Sequence, residues 1–173
     1  MTVAPSQRTM TTHNQAASSA PLIRQALRNV VLGEIDALCS IRHDLHAYPE
    51  LSFQEMRTSG VVQRELQSLG IKFISGLGGG SGVVGYLPAS TPEGNTRPAV
   101  GLRADMDALP ILEETGKPYA SKTPGVMHAC GHDGHTTILI GAARVLSKGQ
   151  RPNPVTFVFQ PAEEGGGGAD IMC

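Results

Sequence analysis

Within eight residues, from His128 to His135, the chain places three histidines, a cysteine and an aspartate: His128, Cys130, His132, Asp133 and His135. A thiolate and an imidazole both suit divalent transition metals such as zinc, manganese or cobalt. Cys130 and His132 stand too close together to be the two ends of a zinc finger, but they suit two ligands on one extended turn. As ordinary core packing, each of these polar groups would need its own buried partner. The plainer alternative is a solvated loop in which Asp133 caps a helix. Two carboxylate clusters accompany this segment, Asp105 with Asp107 and Glu163 with Glu164. Adjacent carboxylates can divide labour, one coordinating a metal while its neighbour handles protons. Taken singly, each pair reads equally well as a turn cap or an exposed loop. Three such clusters, each following or opening a regular element, favour metal-dependent chemistry. Cys130 as a nucleophile activated by His132 or His135 is the catalytic rival.

The elements that must position these groups follow from periodicity. Leu27, Val31, Ile35, Leu38, Ile41 and Leu45 form one helical stripe that Pro49 ends. Ser52 to Glu55 has the spacing of a capping box for a second helix, whose buried side includes Val62, Leu66 and Leu69 and whose C-terminal cap is Gly70. Residues 71–75 and 83–87 predict a hairpin around a glycine-rich turn. The mostly apolar run 99–103 predicts a strand buried on both faces, with Asp105 and Asp107 just beyond it. A helix over 136–146 stops at Gly149, and a strand over 155–159 leads into Glu163, Glu164 and four glycines. This alternation predicts an α/β sheet with its site along the carboxyl edge of the strands.

Composition narrows the classes of partner. Fourteen basic and fifteen acidic residues leave a formal charge of −1, which gives no electrostatic footprint for nucleic acid or an anionic membrane. A small-molecule substrate is the expectation. Three widely spaced cysteines do not make a disulfide framework, and neither a secretory signal nor a spanning apolar run is evident, so a cytoplasmic location is expected. Residues 1–20, polar and free of acids, read as a disordered extension. Residues 21–173 read as the N-terminal part of one catalytic domain.

Three motifs in order make the chain resemble a known family. Gly101 to Pro110 (Gly-Leu-Arg-Ala-Asp-Met-Asp-Ala-Leu-Pro), Met127 to His135 (Met-His-Ala-Cys-Gly-His-Asp-Gly-His) and Phe159 to Gly168 (Phe-Gln-Pro-Ala-Glu-Glu-Gly-Gly-Gly-Gly) are similar to motifs of the M20 metallopeptidases. The subgroup is that of hippurate hydrolases and auxin-conjugate hydrolases, and Arg42 to Glu55 looks like its opening helix and turn. The resemblance implies a partial three-layer, zinc-peptidase-like catalytic domain with a mixed sheet flanked by helices. It implies two divalent metal ions, with Cys130, His132 and Glu164 as ligands, Glu163 as general base and Asp107 as the carboxylate that orients a ligand. His128 and His135 lie inside the matching segment without an assigned role, and Asp105 stands where other branches carry a ligand histidine. The implied reaction is hydrolysis of the amide bond of N-acyl amino acids. Full-length relatives are more than twice as long, carry further ligand histidines and contain an inserted dimerisation domain, so the resemblance also implies a homodimer for the full-length form. The alternative is a truncated, catalytically inactive metal-binding fragment.

Overall fold

The computed structural model describes residues 24–173, and the expected extension over residues 1–20 lies outside them. The chain divides at Glu34 into two units. In the first, residues 24–32 are helical. The stripe predicted to run unbroken from Leu27 to Leu45 is interrupted at Gly33 and Glu34, where helical geometry gives way to a turn. Glycine is a weak helix former; Gly33 N still makes the helical bond to Asn29 O at 3.1 Å, but Glu34 N donates to Val31 O, only three residues back, at 3.0 Å. Leu27, Val31 and Ile35 are exposed, so the buried part of the stripe is Leu45, with Leu38 and Ile41 partly covered.

The second unit holds α1 (Ile35–Ala47), α2 (Met56–Ser68), β1 (Lys72–Leu77), β2 (Gly82–Leu87), a 3-10 turn (Glu93–Thr96), β3 (Val100–Asp105), α3 (His132–Lys148), β4 (Val155–Gln160) and a short α4 (Gly168–Met172). The four strands form one mixed sheet in the order β1-β2-β4-β3. The predicted hairpin pairs β1 with β2, β4 adds antiparallel to β2, and β3 lies parallel to β4 with Asp105 opposite Gln160. Alternation then decides the core. Val83 and Leu87 of β2, with Val155, Phe157 and Phe159 of β4, point to the face that Val62 and Leu66 of α2 and Leu139, Ile140 and Ala143 of α3 cover. Phe157 and Phe159 have no exposed surface, and burial of each contributes about 1.5–3 kcal/mol. On the opposite face, Ile74 and Tyr86 are exposed, and no described helix covers them.

Of the two boundary signals predicted for α2, the C-terminal one holds and the N-terminal one does not. Gly70 does cap α2: it takes a φ of 67°, donates to Gln67 O at 3.0 Å, and lets Ile71 N reach Leu66 O at 3.0 Å in a Schellman arrangement. Ser52 and Glu55 do not form a capping box, and neither side chain caps the helix. The Glu50 carboxylate does so instead, accepting from Arg57 N at 2.9 Å and Thr58 N at 2.8 Å. β3 is likewise not buried on both faces. It is the edge of the described sheet, paired only with β4, and Val100 is 48% exposed. Among the described residues, no helix is long and apolar enough to cross a membrane.

Candidate metal centre

Because β3 and β4 run parallel, their carboxyl ends reach the same sheet edge, and the polar clusters that follow them meet there. β3 delivers Asp105 and, two residues on, Asp107. β4 delivers Glu163 and Glu164 through Pro161 and Ala162, the latter in the left-handed region at a φ of 51°. Past β3, a pairing of Leu109 with Met127 returns the chain so that His128 to His135 lies over this edge. α3 starts at His132, with Gly131 as its N-cap at a φ of 89°.

Cys130, His132 and Glu164 come together so that one ligand atom from each lies within 4.8 Å of the others. The imidazole is held by Asp107: His132 Nδ1 donates to its carbonyl oxygen at 2.9 Å and stands 3.2 Å from its Oδ1. That leaves Nε2 facing three carboxylates, 3.5 Å from Asp105 Oδ1, 3.7 Å from Glu164 Oε1 and 3.9 Å from Glu163 Oε2. Two donors bound to one tetrahedral zinc at about 2.0–2.2 Å stand roughly 3.4 Å apart, so a thiolate, an imidazole and a carboxylate in this disposition fit a divalent ion. The Glu163 and Glu164 side chains are 41% and 32% exposed, so the site opens to solvent on that side.

Electrostatics within the site follow from the same contacts. Asp107 is fully buried, which opposes ionisation, but His132, the Glu164 amide and the Ser52 hydroxyl outweigh burial and hold its carboxyl well below the usual carboxylate range. Ser52 Oγ donates to Asp107 Oδ2 at 2.7 Å and Glu164 N donates to the same oxygen at 3.0 Å. Burial disfavours the His132 cation too, yet the Asp107 hydrogen bond and the adjacent Cys130 and Asp105 push its pKa up to about 10. Without a metal, His132 therefore carries a proton on Nε2, which an incoming ion must displace.

A second donor group, Asp105, His132 and His135, overlaps the first. His135 Nδ1 lies 2.7 Å from Asp105 Oδ1, while Arg103 holds the other carboxylate oxygen at 2.8 Å. The two groups share His132, whose Nε2 also stands 3.5 Å from Asp105 Oδ1. His128 enters neither group. It is buried with no hydrogen-bond partner on either ring nitrogen, and desolvation lowers its pKa to about 4.

Asp133 is not the helix cap that its position suggested. It lies inside α3, where its Oδ2 meets His46 Nδ1 at 2.8 Å and Arg42 Nε at 3.2 Å, and His46 reaches Glu113 at 3.3 Å. Sequence reasoning missed His46, Ser52 and Glu55 as parts of the surroundings of the site. His46 follows Leu45 in the predicted helix without belonging to its apolar stripe, and the partners of all three are remote in the chain.

A mixed α/β sheet thus brings Cys130, His132 and Glu164, a donor set able to hold a divalent ion, together at the carboxyl edge of its strands. Residues 101–173 match the model of Peptidase family M20/M25/M40. The Campylobacter jejuni hippurate hydrolase is 48% identical over 132 residues, covering 76% of this chain and 33% of that protein. A Rhodococcus jostii protein provisionally named glutamate–cysteine ligase 2-3 is 52% identical over 134 residues, but that match covers 76% of this chain and only 16% of the other. The structure is similar to that of the Bacillus subtilis YXEP protein, described as a dinuclear metal-binding peptidase from the M20 family. The TM-score is 0.69 at 42% identity, over 75% of this chain and 35% of the other. The chain is thus similar to M20 peptidases through the family model and the peptidase structure, and to a hippurate hydrolase in sequence. The chain spans about a third or less of the length of the relatives it matches.

Proposed function

We propose that this chain carries the metal-binding part of an amidohydrolase that cleaves the amide bond of N-acyl amino acids of the hippurate kind. The observation that carries the reading is the convergence of Cys130, His132 and Glu164 on one point, with the Glu163 carboxylate beside it. Cys130, His132 and Glu164 would hold the ion. When bound, a divalent ion lowers the pKa of a coordinated water and polarises the scissile carbonyl. Glu163, more exposed than its neighbour, takes the proton of the attacking water and returns it to the departing amine, so that a carboxylic acid and a free amino acid leave. Asp107 keeps His132 in the tautomer that presents Nε2. The amide substrate accords with the name of the hippurate hydrolase relative.

Glu163→Gln tests the assignment. In the chain as it stands, the variant is expected to bind zinc or cobalt as the parent does and to lose turnover of benzoylglycine by about 100-fold or more. Near-parental turnover would remove Glu163 from the proton-transfer role. The second reading is an inactive metal-binding piece, favoured by the uncovered sheet face at Ile74 and Tyr86. Metal binding by the parent with no hydrolysis of benzoylglycine would select it.

A further inference from the structure

We propose that the turn Ser52 to Glu55 is a brace that fixes Glu163 and Glu164 against Cys130 and His132, with Glu55 as a positioning residue; this rests on the metal-centre reading above. Glu55 has no exposed surface, and a buried carboxylate must be matched by donors. Its two oxygens take one donor each from two different loops: Ser81 Oγ at 2.6 Å and Ala162 N at 2.8 Å. Ala162 immediately precedes Glu163 and adopts a positive φ that residues with a Cβ rarely take. The Glu55 carboxylate therefore fixes the peptide that launches the two catalytic-edge glutamates. Ser52 holds the other end of that segment indirectly, because Asp107 Oδ2 accepts from both Ser52 Oγ and Glu164 N.

Phe53 supplies the steric part. Its own φ is 64°, and its ring fills the gap between the two glycine runs. A Cβ on Gly79 would stand 2.7 Å from Phe53 Cδ1, and a Cβ on Gly166 would stand 3.1 Å from Cε2. Gly79, at a φ of 90°, leaves no room for a Cβ beside the ring, and a Cβ on Gly166 would also stand 2.7 Å from Ala162 Cβ. The turn is anchored at its base, where Ala108 N donates to Glu50 O at 2.8 Å and the Glu50 carboxylate caps α2. A site supported by a locked turn on regular elements keeps its geometry, and an error near 1 Å is enough to spoil one. Glu164 Oε1, now 3.7 Å from His132 Nε2, has little room to wander and still share an ion.

Cobalt titration of the full 173-residue chain tests the brace, following the Cys130 thiolate-to-cobalt band and the ligand-field bands. Glu55→Met removes both acceptors while keeping a long side chain. It is expected to weaken cobalt binding by about 10- to 100-fold with the thiolate band retained, because Glu164 is lost from the ion. Glu55→Gln should rescue: its amide oxygen can still accept from Ala162 N, and its NH2 can donate to Ser81. In metal-free chain, the Ala162 amide should exchange with deuterium faster in Glu55→Met than in the parent. Added to Glu164→Ala, Glu55→Met should cost less than about twofold more, since its effect passes through Glu164. Where Glu55→Met does not fold, Glu55→Asp, one methylene shorter, replaces it in the same cycle. Parental affinity with Ala162 still protected, or fully additive losses in the double variant, would overturn the brace. A parent chain that binds cobalt without a thiolate band would instead overturn the metal-centre reading, and the brace with it.

Discussion

Asp107→Asn exposes the logic of the site most directly, because the change keeps shape and alters only which atoms can accept. Asp107 has no exposed surface, and its carboxylate meets three donors: Ser52 Oγ at 2.7 Å, Glu164 N at 3.0 Å and His132 Nδ1 at 3.2 Å. An Asn oxygen can replace the Oδ2 that serves Ser52 and Glu164, but its NH2 then faces His132 Nδ1–H, donor against donor. Loss of the Nδ1 hydrogen relieves that clash, but it leaves a neutral ring whose one hydrogen sits on Nε2, where a metal would bind. The loss of a hydrogen bond to a charged group is about 1.5–3 kcal/mol, and the clash adds to it. An expected destabilisation of about 2–4 kcal/mol is a large share of the roughly 5–15 kcal/mol that holds a domain folded. Metal affinity should fall by about 10- to 100-fold.

The pH dependence of that difference is the sharper test. The folded-state pKa of Asp107 is depressed, so its contribution is present above its unfolded value near pH 4 and is lost as pH falls below it. The folded-state pKa of His132 is raised to about 10, so its contribution is complete below its unfolded value of about 6.5 and fades as pH rises towards 10. In urea denaturation of metal-free protein, the gap between parent and Asp107→Asn should be widest from about pH 4 to 6.5 and shrink on both sides. A gap that is flat with pH, or unchanged metal affinity, would refute the reasoning.

Three further outcomes are expected. Glu50→Ala removes the carboxylate that caps α2 and should lower stability by about 0.5–2 kcal/mol in denaturant titration; no change would mean that solvent satisfies those amides equally well. Because the two described donor groups share His132, equilibrium dialysis of this 173-residue chain should find about one cobalt per chain, fewer than the two ions that the family resemblance implies; two tightly bound ions would show that the groups do not compete. His128, buried and held down to a pKa of about 4, takes up its proton later than it would unfolded, so stability should fall as pH drops from about 6.5 to 4. His128→Leu should flatten that limb, and the same slope in the variant would assign it to other groups.

Residues that act through near neighbours were readable before any coordinates. α3 follows from the apolar spacing of Leu139 and Leu146, β4 from its β-branched and aromatic run, and the α2 cap from Gly70, because 3.6- and 2-residue periods and a left-handed φ are local properties. The misreadings have a common cause. Ser52 and Glu55 carry the spacing of a capping box, but their partners Asp107, Ser81 and Ala162 are 55, 26 and 107 residues away. Asp133 is placed like an N-cap, yet it pairs with His46 across 87 residues. Short-range pattern cannot show that a long-range donor competes more strongly for the same oxygen.

The residue types able to bind a metal, their places at the ends of regular elements, and the α/β alternation that carries them are all local features and so are legible along the chain. Which of those residues meet depends on how the strands pair. Parallel pairing of β3 with β4 sets Asp105 opposite Gln160 and so brings the two carboxylate clusters to one edge. The hydrogen bond from His132 to Asp107 then selects the nitrogen left for an ion. Both depend on packing between segments far apart in the chain, where burial makes an unmatched polar group costly and leaves few arrangements that satisfy them all.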